Sequence, residues 1–307
     1  MNNTAVRGSI SKTRIKTQIS LHSMMIPAIV FAVIFSLFPL VGLIMAFQDY
    51  NPAKGFLESK FVDVYNFTKL FNRADFYNVI GNTVIIALAK IVAVTILSIV
   101  IALLINEVQN KTLKKVIQTI IFLPYFLSWA LIGNVFVEMF SLSGTVNYYL
   151  SFLGIEGEYW ITSNVWFRVI VVATDVWKTL GYQVVVFLAA ITSINSNLYE
   201  AAEMDGAGYW QKCRFITIPG IMPMITLMSI LNIGNIMNAG FEQILVMYNP
   251  SVYETGDILD TMGYRIGLLG LDYSMGTAIG LFKSVISCIC FIIAYRIAFK
   301  VADYKLF

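Results

Sequence analysis

The chain has 307 residues, 58% of them hydrophobic and 13% charged, with a mean hydropathy of +0.75 and a net charge of +3. Soluble globular chains carry about 25% charged residues, so the composition excludes a soluble enzyme or binding module. The small, dispersed charge points away from nucleic acid, three cysteines (Cys213, Cys288, Cys290) make no disulfide framework, and one histidine, His22, cannot build a His-based metal site or proton relay.

The N-terminal segment, 1–23, is polar and basic. The apolar run behind it, 24–47, is too long for a secretory signal and lacks a small-residue cleavage site, so it reads as a retained membrane span. A bilayer core of about 30 Å needs roughly 20 mainly apolar residues per helix. Six stretches qualify: 24–47, 79–105, 116–140, 168–192, 218–239 and 276–299. Each is expected to be helical, because an unpaired backbone group is not tolerated against lipid. The expected fold is therefore an all-α membrane protein of six transmembrane helices. It divides into the N-terminal segment, the first span with its outer loop (24–78), a core of five spans (79–300) and a tail (301–307).

Orientation follows the lysine and arginine bias of the loops. The N-terminus (Arg7, Lys12, Arg14, Lys16), the 106–115 loop (Lys111, Lys114, Lys115), the 193–217 loop (Lys212, Arg214) and the tail (Arg296, Lys300, Lys305) form the basic set. The opposite set holds Lys54, Lys60, Lys69 and Arg73, with Arg168 and Arg265 near span edges, and most of the acids. Both termini and the 193–217 loop are thus expected in the cytoplasm. The outer segments 48–78, 141–167 and 240–275 are long, aromatic and acidic, as suits a surface that meets something outside the cell. No internal repeat is evident, which counts against a transporter made of two similar halves in one chain and suggests half of a pathway completed by a second chain.

Ionised side chains inside spans cost about 2.5–3.5 kcal/mol on insertion scales and need a reason. Asp175 and Lys178 are three apart in the fourth span and are spaced to pair across one turn, either on a water-filled path or as a self-neutralising pair between helices. Lys90 and Lys283 are lone lysines in the second and sixth spans, read as snorkelling or packing. In the fifth span Thr226, Ser229, Asn232, Asn235 and Asn238 recur every three residues, a polar stripe that faces protein or water. It suits either helix–helix hydrogen bonding or a hydrophilic conduit for a hydroxyl-rich solute. Gly276 and Gly280 form a GxxxG read as packing.

The longest polar, structured-looking stretch runs from Asn197 to Pro219. Asn197 is placed to cap a helix, with Glu200 three residues on as in a capping box. Ala201, Ala202, Glu203 and Met204 favour helix, and Gly206-Ala207-Gly208 ends it. A second amphipathic piece follows, with Tyr209, Trp210 and Phe215 apolar and Lys212 and Arg214 polar. Pro219 then sits in the first turn of a new helix. The expected product is a small rigid knob, with alanine and methionine beside carboxylates, that fits a shallow groove on a cytoplasmic partner.

Glu200-Ala201-Ala202, three residues, Gly206, nine residues, Ile216, one residue, Ile218 and Pro219 resemble the "EAA" signature of permease subunits in binding-protein-dependent ABC importers. Ile218 departs from the usual leucine, and Asp205-Gly206-Ala207 matches the common DGA extension. FLPYFLSW (122–129), WKTLGYQ (177–183), LDTMGYRIGL (259–268) and AIGLFKSVI (278–286) resemble the carbohydrate-uptake, maltose-type permeases, nearest to the oligo- and polysaccharide branch. The resemblance implies that the loop, with Glu200, Ala201, Ala202, Met204, Asp205, Gly206, Trp210 and Pro219, is a coupling helix that docks into an ATPase. It implies a second similar permease, two ATP-binding subunits that hold ATP and magnesium, an extracellular solute-binding protein, and a place in the bacterial plasma membrane. It also implies that Lys283 and the Asp175/Lys178 pair recur across relatives. No GxxxxGK[ST] phosphate loop occurs in the chain, so no cofactor and no catalytic or metal-binding residue is expected in it. The cargo would pass along Asp175, Trp177, Lys178, Tyr182, Asn232, Asn235 and Asn238. An importer of peptides or glycerophosphodiesters is the main rival. A stand-alone secondary transporter would need coupling-ion carboxylates or a repeat, and an intramembrane enzyme would need a nucleophile–base or metal set.

Overall fold

A computed structural model describes residues 12–302, with side chains from 21 to 297. Most of the expected N-terminal segment and tail therefore lies outside the described residues. Among the described residues five helices are long and apolar enough to cross a membrane, or six if a pair broken by a 98° turn counts as one span.

The first span begins as the helix Lys12–Ala32, widens to a π turn over Val33–Leu37 and tightens to a 3-10 segment over Phe38–Phe47, where Pro39 removes a backbone donor. Side chains 21–41 are all exposed, and only the end of the span packs, against the sixth. A short antiparallel hairpin follows, Gln48–Asp49 on Lys60–Phe61, pinned by Asn66, whose amide donates to the carbonyls of Ala46 and Gln48 at 2.9 Å each.

The second span (Phe76–Asn106) and the fourth (Asn164–Thr192) pack along their lengths and form the centre of the molecule. Phe76, Phe167, Phe187 and Ile86 are fully buried between them and their neighbours. Lipid tails are as apolar as these side chains, so the stabilisation comes from close packing rather than from expelled water. The sixth span (Tyr273–Ala302) closes the bundle against the fifth. At Gly276 an added Cβ would lie 2.7 Å from the Cα of Gly267, whereas Gly280 faces open space, so the packing expected of this GxxxG holds at its first glycine.

Two spans depart from the straight helices expected. The third runs from Lys111 to Phe122, continues as a 3-10 turn over Leu123–Phe126 begun by Pro124, stops, and resumes at right angles as Trp129–Met139. Pro124 lacks the donor that would carry the helix on, and a 3-10 turn uses the fewest bonds in stopping it. The fifth span ends at Gly234, not near 239, and the chain loops over 235–240 before the short helix Phe241–Met247. The polar row is therefore not one helical stripe: Asn235 is the C-cap and Asn238 lies in the loop.

At the other end, Pro219 lies in the first turn of the α-helix Ile218–Gly234 as expected, but that helix is not a separate one. Helical backbone runs unbroken from Tyr209 to Gly234, passing through a π turn over Cys213–Thr217 just before the proline. A proline inside a helix clashes with the carbonyl four residues back, and a widened turn is one way to relieve that clash.

After the short helix Phe241–Met247 come four short helical pieces, a 3-10 turn Pro250–Val252, Tyr253–Gly256, Leu259–Gly263 and a π segment Tyr264–Leu269. Polar side chains of the spans hold them down. Asn82 donates to the carbonyls of Glu254 (3.0 Å) and Asp257 (3.1 Å), and Arg168 donates to Asn82 Oδ1 (2.6 Å) and the Thr255 carbonyl (3.0 Å). Asp257 is 2% exposed and accepts from Arg265 and from Thr261 Oγ1 at 2.7 Å. Burial pushes the Asp257 carboxyl up, and the Thr261 hydrogen bond and the Arg265 charge oppose it. Removing one partner of a buried pair strands the other charge and costs about 3–5 kcal/mol. Arg265→Met is therefore expected to lower the thermal midpoint of the purified protein by several degrees, with Asp257→Asn in the same chain restoring part of the loss. Lys283 does not snorkel: it donates to both oxygens of Asp260, at 2.6 and 2.7 Å.

Candidate functional site

The 195–219 region forms a compact knob. Its first helix is Ser196–Met204, and its N-cap is Asn195, whose side chain accepts from the Asn197 N–H at 3.0 Å. The cap thus lies two residues before the expected Asn197, and Glu200 is exposed with no part in a capping box. Gly206 ends the helix at φ +76°, a left-handed value that costs an L side chain roughly 1–2 kcal/mol. The Ala207 N–H returns to the Ala202 carbonyl at 2.9 Å, and Asp205 is the C-cap. The two halves of the knob are tied twice, by Lys212 to Glu203 at 2.8 Å and by the Tyr199 and Thr217 hydroxyls at 2.9 Å. The Lys212 hydrogen bond, and then its charge, holds the Glu203 carboxyl below the usual carboxylate range. That contribution is present above the ordinary carboxylate pKa and is lost as the pH falls through the lowered one. Ala201, Met204, Asp205, Gly206 and Trp210 are on the outer surface, with Met204 89% and Trp210 79% exposed, while Ala202 is half-buried. The knob thus leaves these two large apolar side chains uncovered beside its charges.

The second assembly is a cavity of about 290 Å³ between the second, fourth and fifth spans. Asp175, Tyr182, Asn232, Asn235 and Asn238 line it, five of the seven residues expected along the cargo path. Lys90, Tyr125, Thr179 and Gln183 also line it, and none of these four follows from the sequence argument. Pro124 inside an apolar run was the available signal for Tyr125, because a broken helix turns its side chains inward. Tyr125 stacks on Tyr182 with ring centroids 5.3 Å apart and planes 16° from parallel. Asn232 Nδ2 and Gln183 Oε1 are buried with no hydrogen-bond partner among the described residues. Buried amides are normally satisfied, so these two atoms carry unused hydrogen-bonding capacity beside the cavity's lining.

The expected Asp175–Lys178 pair does not form. Asp175 instead lies 3.4 Å from Lys90 of the second span. Lys178 donates to the Tyr125 carbonyl at 3.0 Å and lies over the rings of Tyr125 and Trp129, at 5.4 and 5.7 Å from their centroids. It thus caps the broken end of the third span, where carbonyls lack helical partners. Trp177 is also outside the cavity, edge-on to Phe136 at 5.5 Å.

Residues 95–303 match the family described as binding-protein-dependent transport system inner membrane component. The chain belongs to this family. The matched region of the inner membrane component encloses the whole knob and most of the cavity lining, with Lys90 just ahead of it. The chain is 34% identical over 284 residues to the polygalacturonan/rhamnogalacturonan transport system permease protein YteP of Bacillus subtilis (strain 168), covering 92% of this chain and 88% of that protein. It is similar to a chain in the crystal structure of a bacterial ABC transporter involved in the import of the acidic polysaccharide alginate, with TM-score 0.87 and 36% identity over 94% of this chain and 98% of that one. A further structure, of a bacterial alginate ABC transporter in complex with an alginate pentasaccharide-bound periplasmic protein, matches at TM-score 0.87 and 35% identity, covering 97% of this chain and all of that one. The inner membrane component is accordingly a multi-pass protein of a bacterial membrane.

In this inner membrane component Lys178→Met is expected to loosen the third-span break. It removes the donor to the exposed Tyr125 carbonyl, at a cost of about 0.5–1.5 kcal/mol, and faster amide hydrogen exchange around residues 123–130 would report it.

Proposed function

We propose that the chain is one of two transmembrane subunits of an ATP-driven importer, and that it passes an oligosaccharide or polysaccharide delivered by an extracellular solute-binding protein. Six spans, with both termini and the 193–217 loop in the cytoplasm, agree with the lysine and arginine bias. The knob would dock on one of two separate ATP-binding subunits, which would hold ATP and magnesium, and this chain would carry out no hydrolysis itself. A homologous permease would complete the path.

The observation that carries the cargo class is the cavity. Stacked Tyr125 and Tyr182 offer a flat apolar surface, and the amides of Asn232, Asn235, Asn238 and Gln183 offer donors and acceptors without net charge. A sugar ring needs both. Among the described residues that line the cavity, the charged pair is Lys90 and Asp175, which offset each other. The polygalacturonan/rhamnogalacturonan and alginate systems of the relatives support the same class.

The test is reconstitution of the complete transporter in liposomes with its binding protein and ATP inside. Uptake of a labelled oligosaccharide, with ATP hydrolysis that rises when loaded binding protein is added, is expected. Uptake of a peptide or a glycerophosphodiester in its place would overturn the saccharide reading.

A further inference from the structure

Lys90 is 7% exposed in the middle of the second span, where an unpaired cation would be costly. An ammonium group has three protons, and here two are donated in hydrogen bonds while a carboxylate supplies the counter-charge. The Ala239 carbonyl is at 2.8 Å, Gln243 Oε1 at 2.5 Å and Asp175 Oδ1 at 3.4 Å. Gln243 is fully buried and passes the connection on, donating to the Val171 carbonyl and to Thr174 Oγ1 of the fourth span at 2.8 Å each. One lysine therefore binds the second span, the fourth span and the loop that follows the fifth. The loop is shaped around it: Gly240 has φ +93°, and a Cβ there would lie 2.5 Å from Lys90 Nζ.

That loop, 235–240, carries Asn238, begins at Asn235, and follows directly on the helix end that bears Asn232. We propose that Lys90 is a positioning residue for the cargo cavity: it fixes the loop so that the three amides converge, while its own ammonium is held by the Ala239 carbonyl, Gln243 and the Asp175 carboxylate. It acts on the cargo through those asparagines. This inference rests on the cavity being the cargo path.

The test uses the complete transporter in liposomes, with the concentration dependence of uptake measured for wild type, Lys90→Met and Gly240→Ala. The probe is a labelled oligosaccharide, or the labelled peptide or glycerophosphodiester of the control arm if wild type imports that instead. A wild type that refuses the saccharide overturns the saccharide reading, and the solute it does carry then serves for Lys90. Both variants are expected to raise the KM for uptake by about tenfold or more, with a smaller fall in the maximal rate. Because both act on one anchor, the double variant is expected to exceed neither by more than about twofold. A purely structural anchor would lower the amount of assembled transporter and leave the KM of the remainder unchanged, and that result overturns the proposal. If Lys90→Met fails to assemble, Gly240→Ala gives the same readout with every charge retained. Wild-type KM in Gly240→Ala, or failure of both variants to assemble, overturns it as well.

Discussion

Gly206→Val is expected to abolish ATP-driven uptake while leaving the membrane spans folded. Valine is β-branched and fits poorly at φ +76°, so the turn must open. The penalty for the residue itself is about 1–2 kcal/mol or more. The larger effect is geometric, because this turn sets the angle between Ser196–Met204 and the helical rod beginning at Tyr209. Opening it strains the Lys212–Glu203 and Tyr199–Thr217 ties and moves Met204 and Trp210 apart on the outer surface. No core side chain is touched, and an added Cβ meets nothing within 4 Å. The measurement is recovery of the ATP-binding subunits on affinity purification, together with uptake. Uptake within twofold of wild type would remove the knob from the coupling pathway.

Asn232→Leu is the second large effect, and here function and stability are expected to separate. Asn232 Nδ2 has no hydrogen-bond partner among the described residues, so leucine removes no internal bond donated by that nitrogen. Replacing an unsatisfied buried polar group with an apolar one of similar size is near neutral or stabilising. Thermal stability is therefore expected to hold or rise slightly, while uptake falls by about tenfold or more, the value of one good polar contact to a cargo. Such opposition between activity and stability is a mark of a binding position. A stable variant with unchanged uptake would show that the cargo does not meet Asn232.

The knob was legible because its determinants are local. The helix formers at 201–204 and the glycines at 206 and 208 act within a few residues; the cap was misplaced by two positions, Glu200 makes no capping box, and the helix expected to open at Pro219 is continuous with the piece before it. The ion pairs were not legible. Asp175 and Lys178 have the right spacing on one helix, yet Lys90 from another span takes the carboxylate and the helix break takes Lys178. Pairing inside a membrane is decided by which helices touch, and one sequence does not contain that. Hydropathy missed both broken spans for a related reason. A window of about 20 residues averages over LPYF and over the asparagines near 235, and a break in backbone pairing does not change the mean. Those breaks bring Tyr125 and Asn238 to the cavity, so the part of the site that depends on them was hidden too.

The continuous helix from Tyr209 to Gly234 has a mechanical consequence. At about 1.5 Å per residue its 26 residues span roughly 39 Å. Trp210 stands at one end of this lever and Asn232 near the other. A tilt of about 6° at the base, roughly 0.1 radian, sweeps the far tip through about 4 Å on that length, comparable to the width of a sugar ring. The π turn at 213–217 is the widened link between the knob and the rest of that length, so a push at the base would reach the tip only as far as this turn is stiff.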